Sequence, residues 1–151
     1  MQRKNAKKTP PLHAPHVRFG IVVSRYNSEV TKPMLDGALA ALRAAGVRGS
    51  QTTVIYVPGS YEIPYGCLKL IEKKCKALVA LGCIIKGQTE HDRHIASAVS
   101  NGIMELMLEH RVPIAFGVLT TNNLAQARAR SRGANNKGIE AARAAIEMAA
   151  F

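Results

Sequence analysis

The 151-residue sequence has no tryptophan, only three cysteines, and fewer than half as many acids as bases, with 10 Asp and Glu against 21 Lys and Arg. Each shortage excludes something. Cys67, Cys75 and Cys83 are odd in number, lack metal-ligand spacing and fall inside apolar segments, which argues against a disulfide framework and for buried free thiols. Every apolar run falls far short of the roughly 20 residues that a membrane helix needs. The N-terminus is basic and polar, with no apolar signal core, so a cytoplasmic protein without membrane contact is expected. Neither a P-loop lysine motif nor a metal-ligand cluster is present, so no metal and no cofactor is expected.

Hydrophobic residues make up 47% of the chain and the mean hydropathy is −0.02. That composition suits one globular domain, which at this length buries about two thirds of its unfolded surface. The net charge is +11 and the isoelectric point near 10.0. Arg3, Lys4, Lys7 and Lys8 crowd into an N-terminal segment without acids, where Pro10, Pro11 and Pro15 oppose helix. Residues 1–15 therefore read as a disordered basic arm that binds polyanions weakly, and 16–151 as the folded domain. Specific recognition of RNA or DNA is not expected, because no aromatics interleave with the charges to stack on bases.

Strand and helix patterns alternate along that domain. Apolar, β-branched runs mark strands at 17–24, 52–57, 77–85 and 112–119, each followed by a helical pattern. Met34, Ala38, Ala41, Leu42 and Ala45 form the apolar face of the first helix, which Gly46 ends. Ile95, Val99, Gly102 and Leu106 stripe a later helix, and Ile139, Arg143, Ile146 and Ala150 a final one. The alternation implies a flavodoxin-like, three-layer α/β fold with a four-stranded parallel sheet and helices on both faces. Ligands of such sheets bind beyond the carboxyl ends of the strands. That rule selects Ser24 to Asn27, Pro58 to Glu62, Lys86 to His91 and Thr120 to Asn123.

Lys86-Gly-Gln-Thr-Glu-His91 is the most informative of these segments. It leads from a strand into a helix whose first N–H groups and positive dipole end favour an anion. Gly87 permits close approach, Thr89 adds a hydroxyl or serves as an ordinary N-cap, and His91, ordinarily titrating near ~6.5, can carry protons. Tyr26 offers a ring face and Asn27 an amide, or a turn and helix cap. Glu62 offers either hydroxyl acceptors or a complement to a helix dipole. His94 and His110 read as surface or packing histidines, too few for a metal site.

Tyr26-Asn27, Val57 to Pro64, Ala80 to His91, Val112 to Thr121 and Asn136 to Gly138 together resemble the lumazine synthase family, in order and spacing from about Val17 to Met148. The resemblance implies a transferase of riboflavin biosynthesis. Without cofactor, it would condense 5-amino-6-ribitylaminouracil with 3,4-dihydroxy-2-butanone 4-phosphate to 6,7-dimethyl-8-ribityllumazine, releasing phosphate and water. It further implies that Tyr26 stacks on the pyrimidine beside Asn27, that Ser60, Tyr61 and Glu62 line the ribityl chain, and that Ile84 and Ile85 touch the heterocycle. Gly87, Gln88 and Thr89 would hold phosphate and His91 would shuttle protons. The family forms homopentamers, some assembled into decamers or icosahedral shells, so Phe116, Arg130 and Lys137 would come from a neighbouring subunit. The segment from Gln126 to Lys137 is one residue shorter than the family's common form, which leaves Arg128 and Arg132 as alternatives to Arg130. Asp92 and Arg93 stand where the family has an aromatic and an acid, leaving Asp92 or Glu90 to orient His91. Two other readings compete: a flavodoxin-like module that binds a phosphorylated ligand without turnover, and a basic shell protein that packages nucleic acid.

Overall fold

The computed structural model describes residues 13–151. The segment carrying Arg3, Lys4, Lys7 and Lys8 lies outside them. Strands β1 (Phe19–Ser24), β2 (Thr52–Val57), β3 (Ala77–Ile85) and β4 (Ile114–Thr121) form one parallel sheet in the order β2-β1-β3-β4. Helices α1 (Ser28–Ala44), α2 (Ile63–Glu72), α3 (His91–His110), α4 (Leu124–Ala129) and α5 (Lys137–Met148) complete the α/β layers.

Alternate side chains of each strand serve opposite faces. Phe19, Ile21, Val23, Val79 and Leu81 pack with α1, α4 and α5, whereas Val22, Leu78, Ala80 and Ile84 pack with α2 and α3. Both central strands are buried on both faces, so β1 and β3 read as continuous apolar runs.

The boundaries differ in a few places. β1 starts at Phe19, and β4 runs two residues later than its apolar run, because Pro113 has no N–H to donate and contributes only its carbonyl, which accepts from Leu78 at 2.9 Å. The body also begins earlier than residue 16: Ala14 is buried and its N–H donates to the Ala45 carbonyl at 2.9 Å. Arg143 is exposed and Ala150 lies exposed beyond the end of α5, whose packed face is Gly138, Ala141, Ala142, Ala145 and Ile146. Small residues on that face let α5 lie close against α1. Gly46 ends α1 as expected, at φ +85.

All three cysteines are buried free thiols. Burial pushes Cys67 up to about 12 and Cys83 to about 11, and raises Cys75 against the opposing pull of Arg18. Unfolding releases each thiol to an ordinary value near 8.5. Their stabilising contribution is therefore complete below that value and is lost as pH rises through the folded values. Urea midpoints should fall from about pH 8 to about pH 10.5, and fall less in Cys67→Ala. Equal slopes in the two proteins would refute the assignment.

Candidate active site

The sheet order reverses direction between β1 and β3, since β1 is flanked by β2 on one side and β3 on the other. At such a switch point the loops leaving the two strands part and open a crevice. There lies a cavity of about 1050 Å³ whose walls include Tyr26 and Asn27 after β1, Ser60, Tyr61 and Glu62 after β2, and Ile84, Ile85, Gly87, Thr89 and His91 after β3.

Backbone bonds continue the sheet into these loops. Arg25 and Tyr26 donate to the carbonyls of Val57 and Pro58 at 2.8 and 3.0 Å, and Lys86 donates to Thr121 at 2.8 Å. Asn27 adopts the left-handed conformation, with φ 60, that its short amide tolerates. Its side chain does not cap α1; instead Nδ2 donates to the Cys83 carbonyl at 3.0 Å and ties the first loop to β3. Gly59 donates its N–H to Glu62 Oε2 at 3.0 Å, which fixes one oxygen of that carboxylate and leaves the other able to accept. Ser60 Oγ is buried with no hydrogen-bond partner, an acceptor and donor held at the wall of the cleft. Tyr26 and Tyr61 remain 74% and 64% exposed. Two large aromatic rings held open on one cleft offer faces to a planar ligand.

His91 is the first residue of α3, and Thr89 is not its N-cap: Glu90 occupies that position, while Thr89 Oγ1 accepts from the His91 N–H at 3.3 Å. Glu90 is held by Arg93 at 2.9 Å, whereas Asp92, next to His91 along α3, lines the cleft wall with it. Gln88 and Lys86 are exposed and do not belong to that wall. His94, expected on the surface or in packing, lines the cleft together with Ile95 and Ala98. Their spacing from His91 is helical, at i+3, i+4 and i+7, and marks a second stripe beside the core-facing Val99 and Ile103.

Phe116, Arg130 and Lys137 are elsewhere. They line a second cavity, of about 350 Å³, beside the edge strand β4 and α5, which shares no residue with the first. Phe116 is 48% exposed there. The neighbouring arginines are engaged otherwise: Arg128 binds the Glu29 carboxylate at 2.7 and 3.1 Å. Pro33 has no N–H for the Glu29 carbonyl four residues earlier, and Arg132 approaches that carbonyl at 3.4 Å. Arg130 donates one N–H to the Gln126 carbonyl and belongs to the cavity wall.

Residues 16–151 match the family model for 6,7-dimethyl-8-ribityllumazine synthase. The chain belongs to that family. A 6,7-dimethyl-8-ribityllumazine synthase of Phocaeicola vulgatus is 38% identical over 92% of the chain and 84% of the relative. One from Thermus thermophilus is 44% identical over 93% of the chain and 90% of the relative. Among solved structures, a de novo designed Rossmann fold protein aligns with a TM-score of 0.43 at 13% identity, over 76% of this chain and 94% of that one. No group of three or more His, Cys, Asp or Glu that could hold a metal occurs among the described residues. No helix among them is long and apolar enough to cross a membrane.

Proposed function

We propose that the cleft and the edge cavity are two halves of one active site, closed between adjacent subunits of a cytoplasmic homopentamer. It condenses 5-amino-6-ribitylaminouracil with 3,4-dihydroxy-2-butanone 4-phosphate to 6,7-dimethyl-8-ribityllumazine, phosphate and water. The observation that carries this reading is the division of the family-like residues between two cavities of one chain that share no residue. A single subunit holds the two halves in separate cavities, so a complete site needs a neighbour's edge cavity against the cleft.

In that site Tyr26 and the neighbour's Phe116 supply ring faces for the pyrimidine, beside Asn27, Ile84 and Ile85. Ser60 Oγ, Tyr61 and the unbound oxygen of Glu62 take the ribityl hydroxyls. Gly87 and Thr89, the members of that loop on the cleft wall, present N–H and hydroxyl donors to phosphate, and the neighbour's Arg130 and Lys137 neutralise it. A phosphate leaving group gains charge as its bond breaks, so cations placed there stabilise the step as well as the bound substrate. Imine formation, phosphate loss and ring closure each move a proton, and an imidazole such as that of His91 can both donate and accept one. No step requires a metal or a nucleotide.

Purified protein mixed with the two substrates should develop lumazine absorbance at an undiminished rate after EDTA treatment. Loss of turnover with the chelator would contradict the cofactor-free reading. The choice among arginines is equally testable. Arg130→Ala should raise KM for the phosphorylated substrate by about 10- to 100-fold, the worth of a charge-assisted contact. Arg128→Ala, which removes a half-exposed ion pair with Glu29, should leave KM within about twofold and cost at most about 1 kcal/mol of stability. The reverse pattern would transfer the phosphate role to Arg128.

A further inference from the structure

We infer that the edge of the sheet opposite the cleft is a sequence-independent binding surface for the phosphate backbone of a nucleic acid. A basic residue precedes every strand: Arg18 before β1, Arg48 before β2, Lys76 before β3 and Arg111 before β4. In a parallel sheet all strand starts share one edge, so the topology collects these cations although the sequence scatters them. Lys76 donates its N–H to the Arg18 carbonyl at 2.8 Å, which places the β1 and β3 cations side by side. The helices run back to the same edge and add Arg43 at the end of α1 and Lys73 and Lys74 after α2.

All seven side chains are exposed, and none is in an ion pair among the described residues. The acids at this edge are few. Glu72 is taken by Lys69 at 3.1 Å, leaving Glu109 near the end of α3 and Glu147 near the end of α5. The ends of α1, α2, α3 and α5 each place about half a negative charge there, which accounts for only part of the basic excess. The first described residues also meet the folded body at this edge, where the Ala14 N–H donates to the Ala45 carbonyl at 2.9 Å. Phe151 is the exposed aromatic nearest the chain's end at this side, too little to stack a run of bases, so the binding is electrostatic.

Fluorescence anisotropy of labelled single-stranded RNA and duplex DNA with the full chain tests this. Both should bind, and affinity should fall by at least about tenfold between about 50 and 200 mM salt. Lys73→Ser, Lys74→Asn and Lys76→Ser together should weaken binding roughly tenfold at low salt and lower the slope of log K against log salt by about two to three. Asparagine suits Lys74 because that residue has φ 69. Thermal melting of the triple variant, expected to match the parent, separates lost binding from lost folding. A chain lacking residues 1–12 should bind more weakly but still in a lysine-dependent manner. Unchanged binding by the folded triple variant overturns the inference, as does complete loss on removing residues 1–12. Tighter binding to anionic phospholipid vesicles than to either nucleic acid also overturns it.

Discussion

Alanine at His91 should lower kcat for lumazine formation by about 10²–10⁴-fold while leaving substrate binding nearly unchanged, the loss typical of a general acid–base group. His91 stands at the first position of α3, on the wall of the cleft, where its ring can reach a bound ligand. The stronger test uses two inactive proteins. Arg130→Ala and His91→Ala subunits, refolded together, should recover part of the parental activity. Some interfaces of the mixed oligomer then join an intact His91 cleft to an intact Arg130 cavity. Binding titrations of His91→Ala alone should keep near-parental affinity, which distinguishes a lost proton carrier from a disordered loop. A mixed oligomer no more active than its parents, with both variants assembled, would mean that each site lies within one subunit or that Arg130 is outside it.

The second large effect concerns packing rather than chemistry. A methyl group at Gly138 would overlap the backbone carbonyl of Met34, because α5 begins directly against α1 at that point. Asn136 holds the contact from its other side: Nδ2 donates to the Pro33 carbonyl at 3.0 Å and Oδ1 accepts from the Gly138 N–H at 2.8 Å. Neither backbone can retreat without breaking this clasp, so Gly138→Ala should cost about 3 kcal/mol or more, at the upper end for overpacking. For a domain of this size that is a fall in Tm of roughly 6–12 °C. Gly49→Ala, where an added methyl meets nothing within 4 Å, is the matched control and should melt with the parent. Equal melting of the two variants would show that α1 and α5 can separate freely. Because Lys137 adjoins Gly138, residual Gly138→Ala activity should also show a raised KM for the phosphorylated substrate.

How far the sequence reached can be read from particular residues. Periodicity within short windows gave all four strands, the start of the cleft loops and the buried thiols, because each depends on neighbours a few residues away. It missed α4, six residues long, whose N-cap Asn123 accepts from the Gln126 N–H at 2.9 Å. So short a helix shows too few turns to display a period. His94 was missed for another reason: its spacing from His91 is visible, but which helix stripe meets a cavity depends on the neighbours packed against it.

The sequence by itself determined the alternation of strand and helix, the parallel sheet and the polar loops at the strand ends, since hydrophobic spacing and turn residues act locally. Tertiary structure alone decided the strand order, and with it the crevice between β1 and β3. It also sorted the arginines, through contacts such as Arg128 with Glu29, 99 residues apart, which no local pattern encodes. The same folding divided the candidate residues between two cavities and gathered Arg18, Arg48, Lys76 and Arg111 onto one edge. Each of these depends on which distant segments share space, a choice made by burial of the whole chain rather than by any stretch of it.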